Sequence, residues 1–224
     1  MIYPIHVYGS PVLHKVSAPV TQFDDELAKL VEDMYETCAA APGVGLAAPQ
    51  IGKDMSMFVW MYDDHDGPPR GVAINPTLLI YPVDTLPVDD GDYEGCLSFP
   101  GYNFRVRRSP YALLRAQNEK GEWYELEAEG WFARILQHEF DHIKGRMYTD
   151  RLTGDDAVEV AQIIKEEGWG VPGLYWMPGE DELYEGEYDD EYDDEYDDEY
   201  EGEYDGELYD DPDSHEGHTG KKDN

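Results

Sequence analysis

The sequence predicts an α+β fold in which mixed or antiparallel β-sheet packs on helices, followed by an acidic appendage. Three observations predict it. Helical periodicity is confined to the start and the end of the first 170 residues, the stretch between them breaks into short β-rich runs, and the composition changes abruptly after Gly168. Helix, then strands, then helix is not the alternation that builds a doubly wound parallel sheet.

The first helix is predicted from Leu27, Leu30, Val31, Met34, Tyr35 and Cys38, which follow the i, i+3, i+4 spacing of one helical face. Asp24 and Asp25 suit its start, and Pro42 lies just past its end. On this reading Cys38 is a small apolar core residue. Residues 55–61, 72–74, 78–81 and 111–117 are rich in β-formers and separated by Gly, Pro and Asp, so they read as strands. The turn residues 118–121 place 111–117 and 123–126 as a hairpin. A second helix is expected over 131–144, with Phe132, Ile135, Leu136 and Ile143 along one side and Gly145 as its stop. A third is expected over 155–167.

Beyond these elements the segment 171–179 is rich in Gly, Pro and aromatic residues and reads as a linker. From 180 to 224 the chain carries 23 acidic residues against 2 lysines, so this part accounts for −21 of the formal charge of −35. Tyr184, Tyr188, Tyr192, Tyr196, Tyr200 and Tyr204 recur every fourth residue within it. Like charges at i, i+3 and i, i+4 oppose a helix, and the tail is expected to be disordered. The remaining 1–179 are only moderately acidic. Nothing here supplies the clustered Lys and Arg that displace counterions from a phosphate backbone, so direct nucleic-acid binding is not expected. Two cysteines are too few for a secreted disulfide framework, and no run of about 18 apolar residues exists. The expectation is a soluble cytoplasmic protein with no membrane association.

The chemistry concentrates in the second helix, at His138-Glu139-Phe140-Asp141-His142. Residues four apart lie one above the other, so both imidazoles can converge on one metal ion. Glu139 is rotated about 100° from His138, which directs it toward a water on the metal as a general base. Zinc endopeptidases share this pattern and normally add a downstream His or Glu. Here the third ligand is better supplied by Cys96, in Glu94-Gly95-Cys96-Leu97-Ser98-Phe99-Pro100, where Gly95 permits a close turn and Pro100 stiffens the exit. Two imidazoles and a thiolate accept Fe²⁺, Zn²⁺, Ni²⁺ or Co²⁺, and donor identity does not choose among them.

Three blocks, residues 43–50 (GVGLAAPQ), 94–98 (EGCLS) and 137–142 (QHEFDH), closely resemble in type and order the signature blocks of peptide deformylases. The likeness extends through 5–20 and 130–134, and so over roughly 1–170, which reads as the catalytic domain. It implies a metal on Cys96, His138 and His142, with Fe²⁺ as the working ion, and Glu139 as proton shuttle. Gln50 and the backbone N–H of Leu97 would polarise the formyl oxygen. Gly43 and Gly45 would let the backbone lie against an extended peptide. The methionine side chain would enter an apolar pocket near Val44, Leu46, Trp131 and Ile135. The implied reaction removes formate from the formyl-Met end of nascent polypeptides, with the ribosome as a possible partner. Phe99 departs from the branched aliphatic residue usual in the family, and 61–70 reads as an acidic loop of variable length, with His65 a solvated surface residue. The tail is compatible with a binding role, screening the enzyme from ribosomal RNA, docking a basic protein or holding divalent cations weakly, but a solubilising extension is the simpler reading.

Overall fold

A computed structural model describes residues 1–63, 69–82 and 93–180, together with the backbone of 209–210. The strands are β1 (Ile5–His6), β2 (Gly45–Ala47), β3 (Met57–Met61), β4 (Arg70–Ile80), β5 (Tyr93–Cys96), β6 (Phe99–Arg105), β7 (Tyr111–Gln117), β8 (Trp123–Glu129), β9 (Tyr175–Trp176) and β10 (Tyr209–Asp210). The α-helices are α1 (Asp25–Ala40), α2 (Gly130–Ile143) and α3 (Asp155–Glu166). The main sheet runs β2-β3-β4-β7-β8 with every pairing antiparallel, and β10 adds to β4. Two small antiparallel pairs, β1 with β9 and β5 with β6, stand apart from it. The α+β expectation holds, with three helices at the predicted places.

Strand β3 is buried on both faces of the main sheet, which explains why Met57, Phe58, Val59 and Trp60 form an unbroken apolar run instead of an alternating one. Leu46, Met57, Val59, Val72 and Ile74 join Leu27, Val31, Met34 and Cys38 of α1 in one core. Ala47, Phe58, Trp60, Ala73, Leu114 and Ala116 join Phe132, Leu136 and Phe140 of α2 in a second. Cys38 is fully buried, as expected of a core thiol.

The sequence suggested two strands, 72–74 and 78–81, where the structure has one. β4 crosses both, with a register shift between Ile74 and Thr77 at Asn75-Pro76. Asn75 has φ +50, and its side chain bonds the backbone of Val20 and the side chain of Gln117. The irregularity reverses the inward face, so that Ile74 packs with α1 and Leu78, four residues on, packs with α2. Pro76, which suggested a break, is accommodated in the bulge.

Helix α1 starts where Asp24 accepts from the N–H groups of Glu26 and Leu27. Helix α2 is sunk into the molecule, with every residue from Phe132 to Ile143 buried. It stops at Gly145, whose φ of +72 and close approach to the backbone of Lys15 leave no room for a side chain. A third core gathers Leu13, Phe99, Phe104, Val106, Met147 and Tyr148 with Val160 and Ile163 of α3.

The expected linker carries β9, and Trp176 is buried. Most of the tail and His65 lie outside the described residues; within the tail, Tyr209–Asp210 lies beside Leu79 and Ile80 of β4. No helix among the described residues is long and apolar enough to cross a membrane.

Candidate metal centre

Cys96 ends β5, next to the turn at Leu97 and Ser98, while His138 and His142 face it from one side of α2. Their ligand atoms all lie within 4.8 Å of one another. Cys96 Sγ is 3.3 Å from His142 Nε2, which is 3.2 Å from His138 Nε2. Donors bound at about 2.0–2.3 Å in a tetrahedral arrangement sit roughly 3.3–3.6 Å apart, so the trio fits one ion.

His138 is held from behind. Glu94 accepts from His138 Nδ1 at 2.6 Å, which leaves Nε2 as the free donor toward the site. Arg108 bonds Glu94 through Nε at 3.0 Å and Nη2 at 2.6 Å, and Arg134 adds a bond at 3.1 Å. Arg108 Nη1 also reaches Asp141, which is further bound by Arg151. Apart from partly exposed Arg151, the members of this network are buried. Burial acts to raise the Glu94 pKa, but the Arg108 guanidinium and His138 outweigh it and hold the carboxyl well below its usual range. Gln137 ties α2 to the start of β7, accepting from Ser109 N–H and donating to Ser109 C=O.

Glu139, the residue after His138, is fully enclosed, and burial pushes its carboxyl up to about 7. Its Oε2 has no hydrogen-bond partner among the described residues. The carboxylate lies against Gly45, where a β-carbon would overlap Oε1. A Cβ on Gly43 would come within 2.8 Å of Leu97 Cδ1. Both glycines thus permit close packing within the site itself.

Gln50 sits in the 3₁₀ turn Ala48–Ile51. Its Oε1 accepts from Ala47 N–H at 2.7 Å, and its Nε2 points at Ser98 Oγ, 3.3 Å away, and Cys96 Sγ, 3.8 Å away. Gln50, from its 3₁₀ turn, and Leu97, from the turn after β5, therefore flank the Cys96 sulfur. The expected methionine-pocket residues divide: Val44 and Trp131 are exposed, whereas Leu46 and Ile135 belong to the two separate cores. Phe99 is fully buried in edge-on contact with Tyr8, Tyr102, Tyr148 and Trp169, so the segment behind Cys96 is tightly packed.

The sequence blocks included Glu94, Arg134 and Asp141 without a role, and Arg108 and Arg151 were missed. The available signal was weak, since nothing local distinguishes buried Arg108 from its neighbour Arg107.

Two histidines and a cysteine around one point, with an enclosed glutamate one residue along the helix, define a metal-dependent hydrolase. Residues 2–157 match the family model described as polypeptide deformylase. A peptide deformylase of Tropheryma whipplei (strain TW08/27) is 44% identical over 80% of this chain and 94% of its own length. That of Mycolicibacterium paratuberculosis is also 44% identical, over 80% and 95%. Among solved structures, the peptide deformylase of Thermotoga maritima aligns with a TM-score of 0.59 at 41% identity, covering 69% of this chain and 99% of the other. That of Thermus thermophilus aligns at 0.63 and 35% identity, over 74% and 95%. The chain belongs to the peptide deformylase family, metalloenzymes whose activity is removal of the N-formyl group from nascent peptides.

Proposed function

We propose that Cys96, His138 and His142 hold one divalent ion, Fe²⁺ in the working enzyme, at which the formyl group of an N-terminal formyl-methionine is hydrolysed. The observation that carries this is the convergence of their three donor atoms within 4.8 Å. When bound, the ion supplies a Lewis acid for the formyl oxygen and lowers the pKa of water. Glu139 takes a proton at its carboxylate and delivers it to the departing α-amine. Its pKa near 7 suits both halves of that transfer. The Gln50 side-chain amide and the Leu97 N–H stabilise the developing oxyanion, and the amide already points into the site. The peptide backbone lies along Gly43 and Gly45, and the methionine side chain lies by Val44, Leu46, Trp131 and Ile135. Exposed Val44 and Trp131 form its rim.

Residues 1–170 act as the catalytic domain and 171–179 as a linker packed back on it through β9, with 180–224 a solubilising appendage. Two cysteines and a nascent-chain substrate support the reading of a cytoplasmic enzyme that works near the ribosome.

Cys96→Ser tests the ligand set. Loss of bound metal together with loss of formate release from a formyl-Met peptide is expected, and retention of both overturns the assignment. The iron reading is tested by aerobic storage of iron-loaded enzyme, which should lose activity as the thiolate oxidises. Activity retained in air rejects iron.

A further inference from the structure

Beyond residue 157, where the family match ends, the chain returns to the metal centre. Strand β9 pairs with β1, setting Trp176 opposite Ile5, and Gly170 N–H and Tyr8 N–H extend the attachment to Tyr8 C=O and Ser98 C=O. The Trp176 ring is buried in the α1 core, and its indole Nε1–H donates to Leu97 C=O at 2.9 Å.

That carbonyl and the N–H of Ser98 are the two ends of one peptide group. Ser98 N–H in turn lies 3.4 Å from Cys96 Sγ. A hydrogen bond accepted at a peptide oxygen polarises the N–H at its other end. The connection therefore runs from the indole, through the Leu97–Ser98 peptide, to the sulfur. It also fixes the peptide plane that follows Leu97, whose own N–H is the proposed oxyanion donor.

We propose that Trp176 is a positioning residue for the metal centre, acting through the Leu97–Ser98 peptide on the Cys96 thiolate and on the orientation of Leu97. This rests on the reading of Cys96 as a ligand. A second observation agrees with a built connection: Ser98 C=O is also taken, by Tyr8 N–H at 2.9 Å. Two successive carbonyls behind Cys96 are thus tied, one to Trp176 of β9 and one to Tyr8, two residues past β1. Hydrogen bonding to a thiolate is one of the means by which a protein tunes its metal.

The experiment uses the full chain loaded with Co²⁺, whose sulfur-to-metal absorption band reports the thiolate directly. Trp176→Phe keeps a ring in the core and removes only the N–H donor. The band is expected to move to longer wavelength, because a thiolate that receives a weaker hydrogen bond gives up electrons more readily. Turnover (kcat) should fall about tenfold, the low end for partners outside the ligand shell, with KM changed less than about twofold. Tyr175→Ala, at an exposed neighbour on the same strand, should leave the band in place.

A second measurement needs no substitution. In ¹⁵N spectra of the unaltered chain, the Trp176 indole resonance should move between the metal-free and Zn²⁺-loaded forms, and that of exposed Trp123 should not. An indole resonance indifferent to loading overturns the proposal, and it decides alone if Trp176→Phe does not fold. A cobalt band that is present but unmoved by Trp176→Phe also overturns it. Absence of any sulfur band in the unaltered chain removes the Cys96 reading first, and the Trp176 connection with it.

Discussion

Glu94 receives His138 Nδ1 at 2.6 Å while both of its oxygens are also held by Arg108. The carboxylate that orients one ligand is itself locked by a buried guanidinium. Glu94→Gln keeps the shape and removes the charge. Metal affinity should fall about 10- to 100-fold, measured by chelator competition. Stability should fall by about 3–5 kcal/mol, as Arg108 is left buried with its charge only partly compensated, measured by denaturant unfolding.

Gly45 and Glu139 pack so closely that one methyl group displaces the carboxylate. The backbone of Gly45 is not in the left-handed region, so Gly45→Ala should fold. We expect kcat to fall on the order of 10²-fold from misplacement of the proton carrier, with metal content unchanged. Steady-state kinetics beside metal analysis checks it, and unaltered kcat contradicts it.

The Phe99 ring is enclosed by four aromatic neighbours. Phe99→Ala should cost about 3–5 kcal/mol, read from denaturant midpoints. Phe99→Leu should cost less, since it leaves a smaller cavity than alanine.

Removal of the ion by a chelator should abolish formate release, and activity should return on anaerobic addition of Fe²⁺. The order of recovery among Fe²⁺, Co²⁺, Ni²⁺ and Zn²⁺ is measured in the same assay. No recovery with any of the four contradicts a metal-dependent reaction.

Asp33 lies at the far side of α1, where Lys29 and the N-terminal amine bond its carboxylate and lower its pKa below the ordinary 3.8. A carboxylate depressed on folding contributes stability above its unfolded pKa and loses it as pH falls through the folded value. The wild-type chain should therefore exceed Asp33→Asn in stability at neutral pH, with the gap closing below about pH 4. Urea unfolding at a series of pH values tests this.

The order of helices and strands was legible because periodicity is local. Leu27 through Cys38 repeat on one helical face, and β3 is a short β-rich run. The course of β4 was not legible, since Asn75-Pro76 looks like a break until Val20 and Gln117 bind Asn75 across the fold. The burial of β9 was hidden for a similar reason. Trp176 is 79 residues from the carbonyl it binds, and nothing in residues 171–179 marks that partner.

By itself the sequence determined which residues are candidates for donors and proton carrier: a four-residue spacing on a helix sets two imidazoles on one side whatever surrounds them, and the Cys96 block supplied the third candidate. Tertiary structure alone decided what orients His138. Glu94, Arg108 and Asp141 become one buried network only when β5, the segment before β7 and α2 meet, because a charge reads as solvated until its partner is brought to it across 33 or 44 residues of chain.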